Sequence, residues 1–176
     1  MPRGRPLEVE LELLEAFKRS GAVSAYLVTR LPAAIWRAAP PAGRGRTIAA
    51  IVAHMQGVRR TFARMGGAQP GPPSLDRRSV TPSQAQQAFQ QSTDDLARLF
   101  EAAITSGHAR VKGMPRRVID MLTYLMQHDA HHRGQICTLA NDLGHSFTGD
   151  DRMRLWGWKA MPPPTERTPS RASRGR

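Results

Sequence analysis

Long apolar runs are missing from this 176-residue chain, and no segment has the uninterrupted length needed to span a bilayer. The opening Met-Pro-Arg-Gly-Arg lacks the apolar core of a secretion signal, so the sequence reads as a cytoplasmic protein with no membrane association. Disulfides are excluded as well: Cys137 is the only cysteine, which suits a reducing compartment. Strand-like alternation is almost absent. Neither a second domain nor a repeat is visible, and no zinc-finger or helix-turn-helix pattern occurs.

Lysine is scarce too, and its scarcity qualifies the net charge of +12. Lys18, Lys112 and Lys159 are the only lysines, so nearly all the positive charge is arginine, as codon bias in a GC-rich genome produces. Part of the excess sits at the ends, on Arg3 and Arg5 and on Arg167, Arg171, Arg174 and Arg176. Without a basic helix interleaved with aromatics, this charge does not mark a nucleic-acid surface. The alternative it leaves is a non-catalytic helical bundle acting on nucleic acid or a protein partner through its basic surface.

What the chain does have is helical periodicity. A first helix is expected from about Leu7 to Leu31, with Glu8, Glu10, Glu12 and Glu15 near its positive end. A short turn, Leu31-Pro-Ala-Ala-Ile-Trp36, and a Gly/Pro loop at 40–45 follow. Thr47 caps a second helix over Ile48–Met65, with Ile51, Met55, Val58 and Phe62 on one face. Residues 66–80 form a long connection. Thr81-Pro-Ser-Gln84 is a helix start with Pro at its first position, and the third helix runs to about Ser106. The fourth spans about Arg116 to Leu143, ending at Gly144, and a short amphipathic segment covers Asp150 to Lys159. Its Trp156 and Trp158 are expected to cap a bundle end or wall a pocket mouth. The implied fold is all-α: an up-and-down-like four-helix bundle over residues 1–160, with a short C-terminal helix. The second and third connections are long enough for either neighbouring or crossed-over topology. Residues 161–176, rich in Pro and Arg, are expected to form a disordered basic tail.

Chemistry concentrates in His128-Asp-Ala-His131-His132-Arg-Gly-Gln135 on the fourth helix. His128 and His132 are four residues apart, so they lie one above the other on a face that also carries Val118, Met121, Leu125, Ile136 and Leu139. Two imidazoles buried there without partners would cost on the order of 2–3 kcal/mol each. His54, amid Ile51, Met55 and Val58 on the second helix, supplies a third from across the bundle. Three neutral histidines with an open position describe a catalytic-type site for zinc or another first-row divalent ion, iron and manganese included. A hydrogen-bonded core pair without metal is the competing explanation. Gln135 is placed to hold a ligand imidazole or a substrate. Asp129 is placed to orient His54, to act as a base or to pair with an arginine, and Arg133 to serve structure or an anionic substrate group. His131 belongs to the flank or to the shell around the ligands. Cys137 lies on a different face, and His108 and His145 fall in loops exposed to water. No catalytic group beyond the metal site is identifiable, nor is the small-molecule substrate.

These residues carry a resemblance. Ala53-His54-Met-Gln-Gly-Val-Arg59, followed much later by His128-x-x-x-His132-Arg-Gly-Gln135, resembles the DinB/YfiT-like superfamily. The Leu31-Pro-x-x-x-Trp36 turn and Leu155-Trp-Gly-Trp158 extend the likeness over nearly the whole chain up to Lys159. The resemblance implies a four-helix bundle in which His54, His128 and His132 bind a divalent metal, commonly zinc or nickel. It also implies a homodimer and an enzyme of the thiol-dependent transferase or hydrolase type, with a low-molecular-weight thiol as cosubstrate. The chain is too short for the second domain that related sulfoxide synthases carry.

Overall fold

Helix boundaries in this chain have local causes. The Thr47 side chain accepts the Ala50 amide at 3.2 Å, starting one helix, and Thr81 exchanges bonds with Gln84 to start the next. Thr148 does the same with Asp151. Gly144, at φ +83°, closes the longest helix by giving its amide to Asn141 while His145 gives its own to Ala140. The computed structural model describes residues 8–161, and the expected disordered tail 161–176, apart from its first residue, lies outside them. Among the described residues there are six helices and no strand: α1 (Val9–Thr29), α2 (Ala33–Trp36), α3 (Ile48–Met65), α4 (Pro82–Thr105), α5 (Val118–Asp142) and α6 (Gly149–Leu155). None of these helices is long and apolar enough to cross a membrane.

Four of them form the bundle. α1 and α3 occupy opposite corners, each packed between α4 and α5. Phe17 meets Phe100 edge-on and Gly21 abuts Thr93, so α1 and α4 run antiparallel. His54 beside His128, with Phe62 beside Tyr124, sets α3 antiparallel to α5. Gln56 bonds Ser92 and Gly66 touches Leu99, so α3 and α4 are parallel neighbours. Parallel neighbours in sequence need a connection running back along the bundle. Residues 66–81 do this, burying Val80 and packing Leu75 against the cluster at the start of α3. Of the two topologies open to it, the second connection takes the crossed-over one, and 106–117 joins opposite corners.

The core has two apolar ends and a polar middle. One end gathers Val28, Trp36, Ile48, Val52, Phe89 and Ile136. The other gathers Leu14, Phe17, Leu96, Phe100, Met121 and Leu125. Burying each of these aromatic or aliphatic side chains contributes about 1.5–3 kcal/mol. Trp36 gives its indole N–H to the Val80 carbonyl at 2.7 Å, which ties α2 to the crossover. Between the ends lie Ser24, Gln56, Arg59, Ser92, Thr93, Asp129 and His132, all buried. α1 and α4 come close at this level: a Cβ on Gly21 would stand 2.2 Å from Thr93 Oγ1, so only glycine fits.

α6 docks on α1 through Asp151, which accepts from Tyr26 Oη and Arg30 Nε, each at 2.7 Å. It stops at Leu155, short of the expected Lys159, because Gly157 takes φ +79°. Trp156 and Trp158 are consequently 69% and 76% exposed, and neither caps the bundle end.

Candidate metal centre

The polar layer brings together the three histidines that the sequence singled out. His54 comes from the middle of α3, and His128 and His132 from successive turns of α5. One ring nitrogen from each lies within 4.8 Å of the others. The Nε2 atoms of His54 and His128 are 3.4 Å apart. Ring centroids of His128 and His132 are separated by 4.5 Å, and those of His54 and His132 by 4.8 Å. His132 is 7% exposed, whereas His54 keeps part of its ring at the surface. The cluster therefore opens to solvent on the α3 side.

Burial pushes the His54 imidazole below the ordinary histidine value, and His132, Arg46 and His128 add to that push. Burial does the same to His132, outweighing the opposite pull of Gln135. Both rings are thus neutral near pH 7, with nitrogen lone pairs free for a ligand. His132 Nδ1 donates to Gln135 Oε1 at 2.8 Å, which places the proton on Nδ1 and turns the Nε2 lone pair toward the cluster. Gln135 itself is exposed, one turn along α5.

Asp129 has a different position from its neighbours. Its carboxylate is fully buried and is held by the Arg59 guanidinium through Nε and Nη2, with Ser24 Oγ at 3.4 Å. Burial alone would raise its pKa. The charge of Arg59, the His128 imidazole, the Arg59 hydrogen bonds and the charge of Arg133 together hold it at about 2. Its Oδ1 is 3.8 Å from His128 Nδ1, a nitrogen that is buried and has no hydrogen-bond partner. Asp129 therefore faces His128, not His54, and is sealed from any substrate.

Arg59 was not singled out from the sequence. Its side chain is fully buried between the rings of Phe17 and Phe89, at 5.7 and 5.6 Å, and donates to Thr93 Oγ1 at 2.8 Å. The available signal was an arginine four residues after Met55 on the apolar stripe of α3. Tyr124, whose ring centroid is 5.9 Å from that of His128, was missed as well.

The other expected residues lie apart from the cluster. His131 is exposed and touches only the edge of His132, with centroids 4.9 Å apart. Arg133 points to α1, where its Nη1 donates to Ser20 O, Ser20 Oγ and Ser24 Oγ at 3.0–3.2 Å. Cys137 is partly buried on that same side. His108 is exposed as expected, but His145 packs edge-on against Phe147, and its Nε2 is buried without a partner. No curated protein and no solved structure matches the chain. A family model does match, over residues 5–166, and its description is DinB family.

Proposed function

This chain belongs to the DinB family, and on that premise we propose that it is a divalent-metal-dependent enzyme whose ion is held by His54, His128 and His132. The observation that supports this most is the convergence of three ring nitrogens within 4.8 Å from two antiparallel helices. Two nitrogens bound to tetrahedral zinc at ~2.0–2.1 Å stand about 3.3 Å apart. The 3.4 Å between His54 and His128 Nε2 fits that separation and is long for a hydrogen bond between two rings. The orphaned Nδ1 of His128 fits as well, since ligating histidines commonly turn their second nitrogen toward a carboxylate.

The protein's own groups do the positioning. Gln135 sets the tautomer of His132, Asp129 faces the back of His128, and the depressed basicity of His54 and His132 keeps both rings deprotonated at neutral pH. Three protein ligands leave a position for an exchangeable group on the exposed side of His54. A bound zinc or nickel ion, or iron or manganese in the same donor set, would supply Lewis acidity, lowering the pKa of a water or thiol toward neutrality.

We read the reaction as thiol-dependent transfer or hydrolysis of a small molecule. In the transfer case the thiolate belongs to a low-molecular-weight cosubstrate. Burial pushes the Cys137 thiol up in pKa, and it lies on the far side of α5.

Metal analysis of the native protein tests the reading directly. A stoichiometric divalent ion is expected, and at about 100 times its Kd it adds about 2.7 kcal/mol to stability. His132→Ala should abolish that gain while the apo variant still folds. A protein that takes up no divalent ion and shows no change in Tm with zinc or nickel overturns the proposal. Salt-dependent DNA binding that survives loss of all three histidines would put the docking-module reading in its place.

A further inference from the structure

α5 has a second chemically marked face, one step round the helix from the histidines. Arg133, Gly134 and Cys137 on this face line a cavity of about 450 Å³, walled also by His145 from the following loop, Arg152 of α6 and Trp156 just beyond it. That volume suits a small organic ligand. Neither an aspartate nor a glutamate lines it. Of the Arg133 donors, only Nη1 is engaged, on Ser20 and Ser24; Nε and Nη2 have no acceptor among the described residues. Arg152 has no side-chain acceptor among them either, although Arg154, two residues on, is paired with Asp150. His145 Nε2 lacks a partner as well. The cavity is thus lined by guanidinium N–H groups whose acceptors the described protein does not supply.

Its wall supplies the second half of the recognition. The Trp156 indole is 69% exposed and lines the cavity with Leu155 and Phe147, a flat apolar platform left in water near the unpaired Arg152 guanidinium and the free edge of Arg133. A planar ring on that platform and an anionic group on the arginines would satisfy both features. We propose that the cavity between α5 and α6 is a binding site for a small aryl anion of the aryl carboxylate type, separate from the histidine cluster on the α3 side of α5.

Gly134 makes the test clean. It lies in ordinary helical conformation, and nothing stands within 4 Å of a Cβ built on it, so a larger side chain grows into the cavity without meeting the core. Calorimetric titration of the full chain with naphthoate should show one site per chain. Naphthalenemethanol and inorganic phosphate, each carrying half of the recognition, should bind about tenfold or more weakly. Gly134→Leu should abolish naphthoate binding with an unchanged or raised Tm, and Arg152→Ala should weaken it by about tenfold or more. His132→Ala should leave it unaltered, so failure here and failure of the metal reading are separable. The proposal is overturned by absence of naphthoate binding at millimolar concentration, or by equal binding of naphthalenemethanol. Binding that persists in a folded Gly134→Leu protein, or a dimer in solution that buries Trp156, overturns it too.

Discussion

The polar layer at mid-height of the bundle has a sealed half and an open half, only a few ångströms apart. In the sealed half, Asp129, Arg59, Ser24, Ser92, Thr93 and Gln56 bond one another, and Gln56 Nε2 donates to the Pro73 carbonyl. In the open half, His54, His128 and His132 turn ring nitrogens toward one another, and His128 Nδ1 has no hydrogen-bond partner. A bundle tolerates buried polarity when every group is answered internally. It leaves polarity unanswered where an outside ligand is to answer it. The sealed half is framework, and the open half is the candidate for chemistry.

Breaking the sealed half should have the largest effect on stability. Asp129→Ala leaves the Arg59 guanidinium buried between two phenylalanines with no counter-charge. Stranding one partner of a buried pair costs about 3–5 kcal/mol, a large part of the total stability of a domain this size. Urea unfolding at pH 7 measures it. His132→Ala, in the open half, should cost the apo protein much less. Equal losses in the two variants would erase the distinction between framework and site.

Acid should separate the same two halves by pH. Asp129 sits at about 2 in the folded chain against an ordinary 3.8. A depressed carboxylate stabilises above its unfolded pKa, and that contribution fades as pH falls from about 4 toward 2, by roughly 2–3 kcal/mol in all. The histidines act earlier. With folded values below 6.5, His54 and His132 refuse protons that the unfolded chain accepts, so apo stability already declines as pH drops below that value. Zinc requires neutral rings, so its stabilising effect should fade in this upper window. Denaturant midpoints recorded from pH 8 to pH 2 should show two separate declines, of which zinc alters only the upper. A flat profile between pH 4 and pH 2 would remove Asp129 from the framework.

Much of this was legible in the sequence, for local reasons. Thr47 and Thr81 announced their helices, and α3 spans the expected Ile48–Met65. The i, i+4 spacing of His128 and His132 placed both on one face, and His54 at mid-helix depth supplied the third ring. What depended on packing at long range was not legible. A connection as long as 66–81 is compatible with either topology, and only the burial of Val80 against α2 and α3 decides it. Arg59 sits on the apolar stripe of α3, and the Asp129 that accounts for it lies seventy positions later in the chain. That Asp129 would pair with an arginine was readable; which arginine was not. The amphipathic pattern that carried the last helix to Lys159 gave no warning of a left-handed Gly157, which leaves both tryptophans in water.

Gln135 belongs to the rim of the open half, and its replacement sharpens the comparison with the smallest change. It is exposed and belongs to no buried network, so Gln135→Leu should leave apo stability within about 0.5 kcal/mol of the parent. Its one side-chain hydrogen bond among the described residues is with His132 Nδ1, however, and that bond keeps the proton off the nitrogen turned toward the cluster. Losing an outer partner of this kind lowers metal affinity by about 10–100-fold. Competition titration with a zinc chelator reads that change, while urea unfolding of the apo protein should register almost none. Lost stability with unchanged zinc affinity would make Gln135 a framework residue after all, and would move the boundary between the two halves one helical turn along α5.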